Sequence, residues 1–326
     1  MIKASNGRRA MLAAAAMLLV GANPVRAEFP ERLIRLVVPF APGGGSDIVG
    51  RIVASCMSTG LGQQVVVENR AGAGGTIGAD NVAKSPADGY TLVLHTLSSS
   101  VLNIFLYSRL PYDPRRDFAP IAEVGRAPNI LAVRRDLLAR SVQDLIELAR
   151  RDPGRLTYGS GGNGTIVHLS AVLLANMANI ELTHVPFRGG GPSMNALVAG
   201  QVDMMIDAVP VLLPQVSDGG VRALAVTSPQ RVAVLPDVPT VAESGLPGYE
   251  TQNWYGIFAP ARTPRPIIDR VAAEVARVVA DPVCSRRLVD LGVNLVGSDP
   301  DAFSSFWQHE MEVWGPIVRS SGARLD

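Results

Sequence analysis

The sequence predicts an α/β protein of two lobes, each a mainly parallel sheet flanked by helices. Three observations predict it. Short apolar runs alternate with stripes of apolar residues at helical spacing, the pattern of strands joined by crossover helices. The order strand, glycine-rich loop, helix occurs in both halves, at Ile34–Leu61 and at Leu156–Met177. No flexible linker marks a single boundary, which favours lobes joined by crossing strands over beads on a string.

Ile34 to Phe40 is a buried strand that ends at Pro42 and three glycines. Ser46 to Leu61 carries Ile48, Val49, Ile52, Val53, Cys56 and Met57 on one helical stripe, with Ser46 or Asp47 as N-cap. Gln64–Glu68 is a strand and Ile77–Ala83 a short helix. Tyr90–Leu94 is a strand after the turn Pro86-Ala87-Asp88-Gly89. Ser141 with Asp144 resembles a capping box that opens a helix to Arg151. Asp152-Pro153-Gly154 then turns the chain. Leu156–Tyr158, Thr183–Val185, Val202–Ile206 and Val221–Val226 are strands, with a helix from Thr165 to Met177. A loop-rich stretch, with Pro236–Pro239 and Gly245–Gly248, precedes a strand at Trp254–Ala259. Helices follow around Pro266–Ala280, Val283–Leu291 and Asp301–Arg319.

The N-terminus bears on the compartment. Lys3, Arg8 and Arg9 precede an almost wholly apolar run, Ala10 to Ala22, and Val25-Arg26-Ala27 offers a cut after Ala27. This is the order of a cleavable secretory signal peptide, residues 1–27. The run falls short of the roughly 20 residues a spanning helix needs. Arg8-Arg9 leaves both the general and the twin-arginine export routes open. The first 27 residues hold four basic and no acidic side chains, so 26 of the chain's 30 basic residues face 29 acidic ones downstream. No basic patch interleaved with aromatics appears, which argues against nucleic acid as a partner. The two cysteines, Cys56 and Cys284, fit either one bridge in an oxidising compartment or buried thiols, and Cys56 lies on an apolar helix face. His95, His168, His184 and His309 have no metal-ligand spacing, and no metal or cofactor is expected.

Two loops are suited to anions. In Pro39–Asp47 (PFAPGGGSD), glycines Gly43 to Gly45 let the backbone approach a ligand, and the next helix begins at Ser46–Asp47 with free N–H groups and a positive dipole end. The bland alternative is a tight turn with a capped helix. In Tyr158–Thr165 (YGSGGNGT), Gly159, Gly161 and Gly164 match G-x-G-x-x-G between a strand and a helix, with Glu181 near the distance of a ribose-binding acid. The mid-chain position, the export signal and the polar Ser160, Asn163 and Thr165 favour direct carboxylate binding over a dinucleotide. His168, one turn into that helix, faces the anion or is structural. Arg188, in the loop Pro186–Pro192, is the best cationic candidate. Asp207 ends a strand and would accept from a ligand amino or hydroxyl group, or cap the next helix. The third glycine loop, Ala71–Gly75, reads as structural. Catalysis has little support: Tyr158 stands where a G-x-S-x-G elbow has its first glycine, and a hydrolase would need Ser160 with a distant histidine.

Taken together, the motifs resemble a known family. PFAPGGGSDIVGR (Pro39–Arg51), VVVENRAGAGGTIGAD (Val65–Asp80), DGYTL (Asp88–Leu92), LPYDPRRDFAPI (Leu110–Ile121), YGSGGNGT, VPFRGGGP (Val185–Pro192), RALAVTS (Arg222–Ser228), LPDVPTVAESGLPGYE (Leu235–Glu250) and WYGIFAPARTP (Trp254–Pro264) are similar, in the same order, to the substrate-binding proteins of tripartite tricarboxylate transporters, the Bug family. The resemblance spans nearly the whole mature chain. It implies a type II periplasmic-binding-protein fold with the ligand cleft between two lobes: 28–125 plus 255–326, and 126–254. The crossings fall near Glu123–Asn129 and Thr251–Trp254. It implies a monomer in the periplasm that captures a small organic carboxylate, without catalysis, and passes it to membrane permease subunits; a ligand sensor feeding a membrane receptor is the alternative. Carried onto this chain, the loops around Ala41, Pro42, Gly43, Gly44, Ser46 and Asp47, and Ser160, Gly161, Asn163, Gly164 and Thr165, would grip a carboxylate, largely through main-chain donors. This lowers the weight on Arg188. One segment departs from the family: His95–Ser100 (HTLSSS) replaces a Gly/Ser-rich stretch with Thr and His. Ser98 is expected to reach the cleft, and the altered order bears on ligand choice.

Overall fold

The computed structural model describes residues 29–321 together with Arg324 and Leu325; the signal-peptide reading of residues 1–27 lies outside the described residues. β1 (Ile34–Val38) leads through a glycine loop into α1 (Gly45–Leu61). β2 (Val65–Asn69), α2 (Thr76–Ala83) and β3 (Thr91–Thr96) follow. A short helical stretch ends in α3 (Asn103–Leu106). β4 (Phe118–Arg134) runs for 17 residues. Then come α4 (Val142–Arg151), β5 (Thr157–Ser160), α5 (Ile166–Ala178), β6 (Thr183–Pro186) and α6 (Gly190–Val198). β7 (Met204–Ala208), α7 (Val209–Ser217) and β8 (Val221–Val226) complete this half. The chain returns through β9 (Gln252–Pro260), α8 (Arg265–Ala280), α9 (Pro282–Val289), β10 (Asn294–Leu295) and α10 (Pro300–Ser321).

The strands form two twisted sheets that share β4. Phe118–Pro128 of β4 pairs antiparallel with β9, which continues to β3, β1 and β2. Asn129–Arg134 of the same strand pairs with β7 on one edge and β8 on the other, and β7 continues to β5 and β6. β1 is parallel to β2 and β3, and β5 is parallel to β6 and β7. Each lobe is thus a parallel trio plus antiparallel crossing strands. The two-lobed α/β expectation is met, with sheets more mixed than the alternation of elements implied.

Strand periodicity places the cores. Ile34, Leu36 and Val38 of β1 pack under α1 and α8, against Val53, Val271 and Val275; Val37 points to the other face, towards Phe303, Trp307 and Met311 of α10. In the second lobe Leu131 and Val133 meet α4 and α5, while Ile130 and Ala132 meet α6 and α7. The Ser141–Asp144 capping box forms in both directions. Cys56 of α1 is bonded to Cys284 of α9. The apolar face holding Cys56 is the face that meets α9, so burial and bridging coincide.

Candidate functional site

Both parallel trios end in loops on the cleft side, where the strands' carboxyl ends hand over to helices. As a result α1 at Gly45, α5 at Ile166 and α6 at Gly190 start around one small polar cavity of about 40 Å³. The first amides of a helix have no partner within the helix, and the dipole adds positive potential. Gly44, Ser46, Ser98, Gly161, Thr165 and Asp207 all line this cavity, brought from four separate stretches of chain. Gly45 and Thr96 line it too, together with Phe40, Gly190 and Asn253, which the sequence does not single out.

Other expected residues sit behind this lining. Asp47 is buried and faces into its own loop. Its Oδ2 accepts from the Gly43 N–H (3.0 Å) and Arg51 Nε (3.0 Å), and its Oδ1 from Asn69 Nδ2 (2.9 Å). Burial pushes the Asp47 carboxyl up, but these donors, Arg51 foremost, hold it below the usual carboxylate range. Asp47 therefore shapes the Gly43 turn, at φ +80, rather than presenting charge to a ligand. Asn163 and Arg188 are exposed at the rim. Arg188 meets the first lobe through its carbonyl, which accepts from the Ala41 N–H (3.3 Å). Gly164, at φ +73, packs where Leu106 and Leu325 would meet a Cβ.

Ser98 bridges the lobes. Its Oγ accepts from the Ile166 N–H (2.9 Å), the first amide of α5. The lobes also touch backbone to backbone. Gly44 faces Gly190, Gly43 faces Gly191, and Ala41 faces Gly189, so close that side chains would not fit at several of these points. In the sequence this second glycine run, in RGGGP, stands only as the setting of Arg188. Its signal in the sequence was the run itself, followed by Pro192 at the start of a helix.

Asp207 is different in kind from Asp47. It is 6 % exposed, and among the described residues no cation pairs with it. Oδ1 accepts from the Ala208 N–H (2.7 Å), while Oδ2 lies beside Gly190, 2.6 Å from where a Cβ would be. Burial raises its carboxyl to about 7. The hydroxyl of Tyr255, fully buried on β9, has no hydrogen-bond partner and stands close to Gly45.

Ser160 does meet a histidine: its Oγ and His184 Nε2 share a hydrogen bond of 2.7 Å. Yet Ser160 is 0 % exposed and its Oγ is also tied to Gly162, accepting from its N–H (3.1 Å). His184 stacks on His168 (ring centroids 4.1 Å apart) and on Tyr158 (4.8 Å), and His168 Nδ1 accepts from the Gly164 N–H (3.0 Å). Burial lowers both imidazoles to about 4, with each His184 shift deepened by His168. The group is a neutral strut behind the second glycine loop. Among the described residues no carboxylate orients His184, so the parts of a triad are not assembled. Glu181, the acid considered for a ribose, precedes β6, whose parallel register with β5 puts it at the sheet edge opposite the glycine loop.

Residues 49–323 match the family described as tripartite tricarboxylate transporter family receptor. A protein of Pseudomonas sp. (strain P51), named for the tcbD-tcbE intergenic region, is 43 % identical over 320 residues, 97 % of this chain and 95 % of that one. The solved structure of Rpa4515 of R. palustris with adipate has a TM-score of 0.89 at 37 % identity, covering 91 % of this chain and all (100 %) of that one. MatC of Rhodopseudomonas palustris with bound malate has a TM-score of 0.85 at 35 % identity, covering 89 % and 100 %.

Proposed function

The chain belongs to the tripartite tricarboxylate transporter receptor family, and from that premise we propose that it captures a small organic carboxylate in the periplasm for the membrane permease subunits of such a transporter. It is a solute-binding protein and not an enzyme, as its family and structural neighbours are. The observation that carries the ligand class is the convergence of three helix N-termini, α1, α5 and α6, on one cavity that holds no cationic side chain among the described residues. Main-chain N–H groups with Ser46, Ser98 and Thr165 would hold the carboxylate, and Gly43, Gly161 and Gly164 keep the backbone close. The relatives with adipate and malate support a di- or hydroxy-carboxylate. The N-terminal export pattern and the Cys56–Cys284 bridge support an oxidising periplasm. We assign the lobes as 28–125 with 255–326, and 126–254; the change of β4 pairing at Pro128–Asn129 supports a crossing close to that boundary. A thermal-shift series with malate, adipate, tartrate and aspartate tests the reading. A ligand at 100 times its Kd adds about 2.7 kcal/mol of stability. If no carboxylate moves the transition of ligand-free protein, the proposed ligand class is wrong.

A further inference from the structure

Of the buried charges and cavities outside the helix N-termini, Asp207 is the one the binding reading does not use and cannot ignore. Asp207 lines the same cavity as the helix N-termini, with Oδ2 beside Gly190, yet a carboxylate is the last group expected beside a bound anion. Among the described residues, nearby elements supply no compensating charge. β9 brings Tyr255, whose unpartnered hydroxyl is neutral. β4 brings Ile130 opposite Asp207 in register. α6 and α7 bring Gly190 and the Ala208 N–H. α1 brings Gly45 and Ser46, and the Asp47 carboxylate is occupied by Gly43, Arg51 and Asn69. A buried carboxyl without a cation is held far more cheaply with its proton than without. Resting on the carboxylate-binding reading, we propose that Asp207 and the bound ligand carboxylate share one proton, so that the protein takes up a proton from solvent as it binds.

The proton turns a repulsion into a hydrogen bond between two carboxyl groups, as in paired catalytic carboxylates. No covalent bond changes, and the proton comes from the buffer. Free Asp207 titrates near 7, raised by burial, and an adjacent ligand anion raises it further. Uptake is therefore expected to be nearly complete above that pH and small below it.

Calorimetric titration with malate, and separately with adipate, in buffers of different ionisation enthalpy measures the uptake directly. We expect about one proton at pH 8.5 and well under half a proton at pH 6, with Kd weakening by up to about tenfold per pH unit above 7. Asp207→Asn, which carries its donor permanently, should lose both the uptake and the slope. Uptake near zero in the wild type at pH 8.5, or an unchanged slope in Asp207→Asn, overturns the proposal. A ligand-free measurement separates this outcome from failure of the ligand class. The stability of Asp207→Asn relative to wild type should increase as pH rises from 4 to 7, because over that range the unfolded wild-type carboxyl ionises while the buried one keeps its proton, which lowers wild-type stability alone. If that difference is flat, Asp207 is ionised in the free protein and the proposal fails, whatever ligand the cleft takes.

Discussion

At Gly191 the lobes meet through backbone alone. A Cβ there would overlap the Pro42 carbonyl and crowd Gly43 across the seam. Neither neighbour is a flexible side-chain end, so the seam itself would have to part. Gly191 lies in α6 without a positive φ, and alanine there would gain up to about 1 kcal/mol of helix propensity. Gly191→Ala should therefore fold as well as wild type and yet bind malate or adipate about tenfold or more weakly, a loss of roughly 1.4 kcal/mol. Equal Kd values by calorimetry would show that the seam does not close on the ligand. Behind the loop, His184 makes a different prediction. Its folded-state value is lowered to about 4 by burial and by His168. The stability it contributes is thus whole above about 6.5 and lost as pH falls towards 4. His184→Gln, which can keep the Ser160 hydrogen bond, should flatten that loss. Because the ring is partly open to solvent, the difference should be roughly 1–2 kcal/mol. Parallel losses in chemical denaturation of both proteins between pH 6.5 and 4 would remove the imidazole as the cause.

Among the elements, α1 serves two ends of the first lobe. Its N-terminus faces the cleft, and its middle is bonded through Cys56 to Cys284 of α9, 228 residues away. In the chain-entropy account a loop of that length is worth about 5 kcal/mol. Cys56→Ala with Cys284→Ala should lower the unfolding free energy by several kcal/mol while sparing the cleft geometry. A denaturation midpoint equal to wild type would mean that the bridge constrains nothing the packing does not. α1 was legible in the sequence because its stripe is amphipathic and its start is punctuated by glycines. β4 was not. Pro120, Gly125 and Pro128 interrupt it, it is buried on both faces, and no alternation marks it as one strand. α6 and α7 were also missed, since Gly190, Gly191 and Pro192 open one and Pro210 and Pro214 lie in the other, residues that read as loop. The same limit applied to the site. Glycine loops before clear helices were found, with Asp207 at its strand end. Which side chains face the cavity depended on how β4 and β9 bring the two lobes together, and this left Asp47 and Ser160 looking like contacts when they are props.

Across the whole molecule the crossing strands and the cleft mouth differ in how firmly they are held. At the crossing, Asn129, Thr227, Thr251 and Ser170 form a buried polar cluster. The Asn129 N–H donates to Thr227 Oγ1 (2.9 Å), Thr227 Oγ1 to the Thr251 carbonyl (2.5 Å), and Ser170 Oγ to Thr251 Oγ1 (2.9 Å). Shear there would strand several groups away from water, at about 1–3 kcal/mol each. At the cleft mouth, among the described residues, two hydrogen bonds cross the seam, Ala41 N–H to the Arg188 carbonyl and Ile166 N–H to Ser98 Oγ. Each is worth about 1 kcal/mol net. The mouth should therefore part first, with the crossing as pivot, and an open form should lie only a few kcal/mol above the closed one. A carboxylate that touches α1 on one lobe and α5 or α6 on the other favours the closed form, and Ser98 is what holds α5 in its stead. Ser98→Ala leaves the Ile166 amide without its partner in the closed form and with water in the open one. Ligand-free Ser98→Ala should then show a larger radius of gyration than wild type in solution scattering, and saturating ligand should bring the two proteins together. If the ligand-free radii agree, Ser98 is not part of what holds the empty cleft shut, and the pivot must draw its balance from the glycine seam alone.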